Sequence, residues 1–226
     1  MWVSELWRYP VKSMAGELLQ AAELTSNGIV GDRVVHVRDN AGRPATARTY
    51  PGLLQFHATL DQAGQVLVDG LSWKDAQVLR AVRSVVGQSA RLVHDESLER
   101  FDILPLLVAT DGAIEAFGRD RRRLRPNVVI GGVDGLAERK WEGGRLEVGE
   151  VEISIDDLRG RCVMTTFDPD TLAQDQGVLR DIVKRFGGKI ALNCSVTRGG
   201  QIQVRENVEF CPRIPPFAEV REGPSR

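Results

Sequence analysis

Turn-forming clusters interrupt this chain so often that the apolar runs between them are too short for much besides β-structure. Ser26-Asn27-Gly28, Asp39-Asn40-Ala41-Gly42 and Asp69-Gly70 are such clusters, built from residues that accept left-handed backbone or bond their own amides. Among them lie Val34-Val35-His36-Val37, Leu53-Leu54-Gln55-Phe56, Gln65-Val66-Leu67-Val68 and Ala90-Arg91-Leu92-Val93-His94, each read as a strand. Asn127-Val128-Val129-Ile130 is a further strand, stopped by Gly131-Gly132. Leu146 to Ile155 alternates apolar and polar residues about Gly149-Glu150, the pattern of a hairpin, and Gln201-Ile202-Gln203-Val204 returns to strand. Helices are few. Thr110-Asp111 predicts the cap of a short helix through Ile114 and Phe117, ended by Gly118. Leu179, Ile182, Val183 and Phe186 fall at helical spacing before Gly187-Gly188. The fold class is therefore mainly β with few helices (α+β), its sheet closed or sandwiched.

The acidic, weakly patterned stretch from Asp95 to Asp102 marks the expected boundary between a unit at 1–95 and one at 96–210. The segment 211–226, with its four prolines, reads as an irregular C-terminal tail. At 226 residues the chain is long enough for either one large core or two smaller ones. A formal net charge of −1 gives no global field toward nucleic acid or an anionic membrane. No apolar run approaches the ~20 residues that span a bilayer, and the first residues lack a signal-peptide pattern. The expected location is cytoplasmic, with no nucleic acid and no membrane as partner.

Chemistry concentrates at Arg159-Gly160-Arg161-Cys162. A thiol among arginines sits in a positive field, which favours thiolate and so nucleophilic or metal-ligand chemistry. The same residue also suits a buried small hydrophobe, and local context leaves both readings open. Cys162, Cys194 and Cys211 are too few and too scattered for a disulfide framework, a zinc site or a self-contained iron–sulfur cluster. Several cations stand at turns or strand ends beside hydroxyls: Lys12-Ser13 after Tyr9-Pro10, Arg33 after Gly31-Asp32, Arg48 after Thr46, and Arg125 before Pro126-Asn127. Such groups suit a phosphate if they converge, and surface ion pairs if they do not. The run Arg119 to Arg125 lacks interleaved aromatics and reads as a solvated turn, Arg125 excepted. Asp168-Pro169-Asp170-Thr171 reads as a turn rather than a catalytic carboxylate pair. His36, His57 and His94 show no ligand or triad spacing.

In order and spacing these segments resemble the MOSC family, named for the C-terminal domain of molybdenum cofactor sulfurase. Tyr9 to Ser13, Gly28 to Arg33 and Thr46-Ala47-Arg48 are similar to the β-barrel domain that precedes MOSC domains. Arg125 to Ile130, Glu138, Trp141, Leu146 to Gly149, Arg161 to Thr166 and Asp168 to Thr171 are similar to the MOSC domain itself. The resemblance implies a β-barrel MOSC domain behind a smaller N-terminal β-barrel or sheet domain. It also implies a molybdenum cofactor (molybdopterin). Cys162 would be its metal ligand and catalytic residue, with Lys12, Ser13, Arg33, Arg125, Asn127, Arg161, Thr110 and Asp111 binding the cofactor. The implied activity is an oxidoreductase reducing small N-hydroxylated substrates: amidoximes, hydroxylamines or N-hydroxylated bases. The chain has neither the length nor the cysteines for a fused ferredoxin, so the implied electron donor is a separate ferredoxin- or flavoprotein-type partner. The rival function is a sulfur carrier holding a persulfide on Cys162 for metal–sulfur or cofactor assembly. Nothing supports pyridoxal phosphate.

Overall fold

The structure, a computed structural model, describes residues 1–213; segment 214–226, most of the expected irregular tail, lies outside the described residues. Eight strands form one mixed sheet: β1 (Trp2–Arg8), β2 (Glu17–Leu19), β3 (Leu106–Thr110), β4 (Val128–Gly131), β5 (Arg145–Val148), β6 (Val151–Gly160), β7 (Lys189–Arg198) and β8 (Glu209–Cys211). Their order is β8-β5-β6-β7-β3-β4-β1-β2. β3 and β4 run parallel and the other described neighbours antiparallel. The first strand thus pairs with one from the later half, Trp2 opposite Gly131 and Leu6 opposite Val128. Gly131 and Gly132 have a packing role here, because a Cβ on either would lie 2.5 Å from the Trp2 indole.

Mainly β character with few helices is what the sequence predicts, and three α-helices occur among the described residues: α1 (Ala76–Val86), α2 (Asp111–Phe117) and α3 (Gln176–Phe186). The expected barrel takes a looser form. No ladder joins β8 to β2 among the described residues. β2 is only three residues long and covers the Leu6–Arg8 half of β1. The other half is met by the segment just before β8. Val3 N–H donates to Glu206 O (2.9 Å), Arg205 N–H to Val3 O (2.7 Å) and Val208 N–H to Met1 O (2.9 Å). These bonds draw the two ends of the sheet together without a strand. β8 itself runs to Cys211, at the start of the segment expected to be irregular.

The predicted helix caps form as expected. Thr110 Oγ1 accepts from Ala113 N–H (3.1 Å), and Gly118 ends α2 at φ 66°. Gly187 ends α3 at φ 63°. The Gly149-Glu150 hairpin joins β5 to β6, with Val148 opposite Val151. Leu53 to Gln55, expected with Phe56 as a strand, are instead part of a 3-10 turn over Pro51–Gln55, which Phe56 follows in extended backbone. Pro51 presets the first turn and lacks the N–H a ladder would need. Helix α1 was not anticipated. Asp75 caps it by accepting from Gln77 N–H (2.7 Å), and Val78 and Val82, four apart, carry its buried face.

Apolar burial is divided among neighbouring clusters. Val3, Leu6, Val108, Ile130, Ile153 and Leu192 pack within the large sheet. Val11, Val35, Val37, Val66 and Val82 form a second cluster under α1. α2 and α3 share a third through Ala113, Phe117, Ile182 and Phe186. Among the described residues no helix is long and apolar enough to cross a membrane.

Candidate active site

A cavity of about 340 Å³ opens where the turn after β1, the approach to β4 and the end of β6 meet. Lys12, Ser13, Arg33, Arg125, Asn127, Arg161 and Cys162 all line it. The strand-end cations of the sequence therefore converge. Three of these residues, Ser13 (φ 71°), Arg33 (φ 55°) and Arg125 (φ 55°), hold left-handed backbone. That conformation costs a non-glycine residue about 1–3 kcal/mol and persists only where the surroundings over-determine it.

The surroundings do so through Tyr9, Asp32 and Asn127. Asp32, fully buried, accepts from the Tyr9 N–H at 2.7 Å through one carboxylate oxygen and pairs with Arg33 through the other. The Tyr9 hydroxyl donates to Pro126 O (3.1 Å), and its ring lies under Arg125, 4.2 Å from guanidinium carbon to centroid. Burial pushes the Tyr9 phenol up to about 12, against the pull of Arg125 and Arg33. Asn127 is buried at the entry to β4, and its Oδ1 accepts from Leu107 N–H (3.2 Å). The Ser13 hydroxyl accepts from Ala47 N–H (3.0 Å), tying the lysine-bearing turn to the Thr46-Ala47-Arg48 segment.

The electrostatics favour an anion. Burial pushes Arg125 and Arg161 down to about 10, and an anion bound beside them would favour their charged forms. Among the described residues Arg125 Nη2, Arg161 Nε and Arg123 Nε are buried without a hydrogen-bond partner. Buried donors are normally satisfied, so three orphaned guanidinium atoms on residues that line this cavity point to a missing acceptor. Asp102 is the acid among the lining residues, and it meets Lys12 at 2.8 Å, Arg48 at 2.7 Å and Arg159 at 3.7 Å.

Cys162 begins a 3-10 turn over Val163–Thr166, its carbonyl accepting from the Thr165 amide (3.1 Å) and hydroxyl (2.9 Å). The residue is half-buried. Arg48 stands against it: burial works to lower Arg48, but Asp102 and Cys162 hold it above its ordinary value. The other thiols lie outside the cavity. Cys194 is fully buried and pushed well up by burial; Cys211 is also raised by burial, then by Glu147.

Thr110 and Asp111 are not among the cavity-lining residues. Thr110 caps α2, while Asp111 accepts the amides of Gly132 (2.6 Å) and Val133 (3.0 Å), fastening the β3–α2–β4 crossover. Conversely, Arg48, Arg123, Arg159, Asn193 and Asp102 line the cavity without having been assigned to it. Arg48 and Arg159 carried a signal, one as a strand-end cation and one as a neighbour of Cys162. Asp102 carried none, lying in a stretch that reads as a boundary.

Residues 1–102 match the family model for the MOSC N-terminal beta barrel domain, and residues 111–209 that for the MOSC domain. The chain belongs to the MOSC family. Among relatives of this MOSC protein, mitochondrial amidoxime-reducing component 1 of Homo sapiens is 26% identical, over 75% of this chain and 67% of that one. The Mus musculus protein of the same name is 28% identical, over 81% and 71%. The crystal structure of the YUAD protein from Bacillus subtilis shares the fold of the MOSC chain at a TM-score of 0.53. It is 14% identical and covers 95% of this chain and 100% of that one.

Proposed function

We propose that the chain is a molybdenum-cofactor-dependent oxidoreductase that reduces N-hydroxylated substrates with electrons from a separate donor. The observation that carries this reading is the set of unpartnered guanidinium atoms beside a half-buried thiol, in a chain whose relatives are named amidoxime-reducing components. The residues present fit the cofactor. Arg125, Arg161, Arg33 and Lys12 offer donors for its phosphate, and the Cys162 thiolate is a soft ligand suited to molybdenum. When bound, the cofactor would supply two-electron redox chemistry for R–NH–OH + 2H⁺ + 2e⁻ → R–NH₂ + H₂O.

The protein's own groups do the rest. Ser13, Arg33 and Arg125 are held by Ala47, Asp32 and Tyr9 before any ligand arrives, which lowers the ordering entropy left to be lost. Tyr9 supports Arg125 from below through its ring. Leu104, Leu107, Leu124 and Met164 give the cavity an apolar side opposite its cations. Asp102 balances part of the cationic charge.

The deciding experiment is molybdenum and pterin content of the chain purified from a host able to make the cofactor, with Cys162→Ser alongside. Near-stoichiometric molybdenum in the wild type, lost in the variant, is expected. No molybdenum in either protein from a replete host overturns the reading. A persulfide on Cys162 in that metal-free protein would establish the sulfur-carrier function instead, since Arg48, Arg159 and Arg161 would stabilise any anionic sulfur there.

A further inference from the structure

Tyr9 lines a second cavity, of about 190 Å³. It shares Arg123, Arg125 and Met164 with the first, whereas Cys162 lines the first and not the second. Much of its wall is aromatic. Trp7 in β1 and Tyr9 just beyond it carry rings stacked at 6.4 Å with 14° between their planes. Phe167, buried, comes from the chain directly after the Cys162 turn, and Leu54 from the 3-10 turn at Pro51–Gln55. The volume exceeds the ~150 Å³ known to enclose a benzene ring, which leaves room for one planar ring system. The charged part of the wall is purely cationic: Arg122, Arg123 and Arg125 line it, and among the described residues no carboxylate does. Asp120 and Asp170 engage Arg122, but Arg125 joins no ion pair among the described residues. The Arg123 side chain is only 10% exposed. It reaches Asp168 through Nη2 (2.9 Å) and Thr165 O through Nη1 (3.3 Å), yet its Nε has no acceptor, and neither has Arg125 Nη2. The first cavity keeps Lys12, Arg33, Arg48, Arg159 and Arg161 for one anion, so the two shared arginines stand ready for a second.

We propose that the second cavity binds the base of a nucleotide whose phosphate sits at the shared Arg123 and Arg125. The walls select the ring, because every nucleobase offers a π-face to aromatic side chains. The junction selects the phosphate, whose oxygens can accept from two guanidinium groups at once. A ring seated there is an anchor and not the reacting group, since Cys162 does not line that cavity. The nucleotide is thus held rather than reduced, which goes beyond the reductase reading. One chemistry has two sources: a free mononucleotide, or the end of a nucleotide-extended cofactor whose remainder occupies the first cavity.

The test titrates AMP, GMP, CMP and UMP into the full, cofactor-free chain by calorimetry, with ribose 5-phosphate and inorganic phosphate as controls. Wild type is compared with Trp7→Ala, which removes a stacking face, and with Ala15→Leu, which fills the cavity that Ala15 lines. Thermal unfolding shows which variants are folded, and either one alone suffices. At least one mononucleotide is expected to bind wild type tenfold more tightly than ribose 5-phosphate does. A folded variant should lose that preference while its affinity for inorganic phosphate stays within twofold. Acid hydrolysis of the cofactor-loaded chain then separates the sources. One nucleotide released per molybdenum identifies the extended cofactor, and none identifies the free mononucleotide. No preference over ribose 5-phosphate together with no released nucleotide overturns the site, as does a preference that a folded variant retains. A chain that takes up no molybdenum defeats the reductase reading instead, and the calorimetry still reports on the second cavity.

Discussion

Lys12 Nζ lies 2.8 Å from Asp102 Oδ1, so an internal carboxylate already occupies the cluster of cations that the cavity offers to a ligand. Asp102 also meets Arg48 and Arg159. Burial would raise its carboxyl pKa, but Lys12 above all, then Arg48 and Arg159, hold it below the usual carboxylate range. Asp102→Asn removes a competing anion worth about 1 kcal/mol, and affinity for inorganic phosphate is expected to rise roughly fivefold by calorimetry. The same variant tests linkage. A carboxyl whose folded pKa is depressed stabilises the fold above its unfolded value of about 3.9 and loses that contribution as pH falls through the folded one. Wild type should therefore lose stability faster than Asp102→Asn as the pH drops below about 4, read from urea midpoints.

Phosphate is expected to stabilise the cofactor-free chain, because buried guanidinium atoms gain an acceptor. At about a hundredfold excess over Kd the gain is about 2.7 kcal/mol, or roughly 5–10 °C in Tm. Thermal unfolding at constant ionic strength measures it, and chloride replacing phosphate should give no comparable shift.

Arg125→Ala should weaken phosphate binding by about 10- to 100-fold, the loss of a charge-assisted hydrogen bond worth roughly 1.5–3 kcal/mol. It also removes the partner stacked on Tyr9 at 4.2 Å. Arg125→Lys should recover only part of the affinity, because an ammonium lacks the planar face that covers the ring.

Glu138 is fully buried, with Oε1 unpaired among the described residues and Oε2 accepting from Thr110 Oγ1 at 3.3 Å. Burial raises its pKa. The folded state therefore binds the proton more tightly than the unfolded chain, and stability falls as pH rises above about 4.3. Glu138→Gln is expected to be more stable than wild type at pH 8 by about 1–2 kcal/mol, with the advantage shrinking toward pH 4. Urea unfolding at the two pH values checks both sign and size.

Gly112→Ala should destabilise the chain by about 2–4 kcal/mol. A Cβ there would stand 2.3 Å from the carbonyl oxygens of both Val133 and Gly135, which are backbone and cannot swing aside. A fall in Tm without loss of secondary structure is the expected readout.

The local grammar of the chain was legible where one residue sets one geometry. Thr110 and Gly118 delimit α2, Gly187 ends α3, and Gly149-Glu150 turns the hairpin. Leu53-Leu54 misled, because their apolarity serves a buried 3-10 turn fixed by Pro51 rather than a strand. Lys12, Arg33, Arg48 and Arg125 could be picked out as strand-end cations, and Arg161 as the neighbour of Cys162. Their convergence could not be, since it depends on Trp2–Arg8 pairing across the chain with Val128–Gly131. Asp102 stayed hidden for a different reason: its role comes from three cations distant in sequence and from nothing in its own neighbourhood.

That long-range pairing also imposes a timetable on biosynthesis. β1 is made before the rest of the sheet, but its partner β4 follows more than a hundred residues later. At about 5–20 residues per second, an apolar strand waits roughly 6–25 seconds on the ribosome with its edge unsatisfied. Val3 and Leu6, both fully buried in the finished protein, lack their β4 neighbours throughout that wait. The segment that makes the cavity possible is thus one that needs shielding by chaperones while the chain is being made.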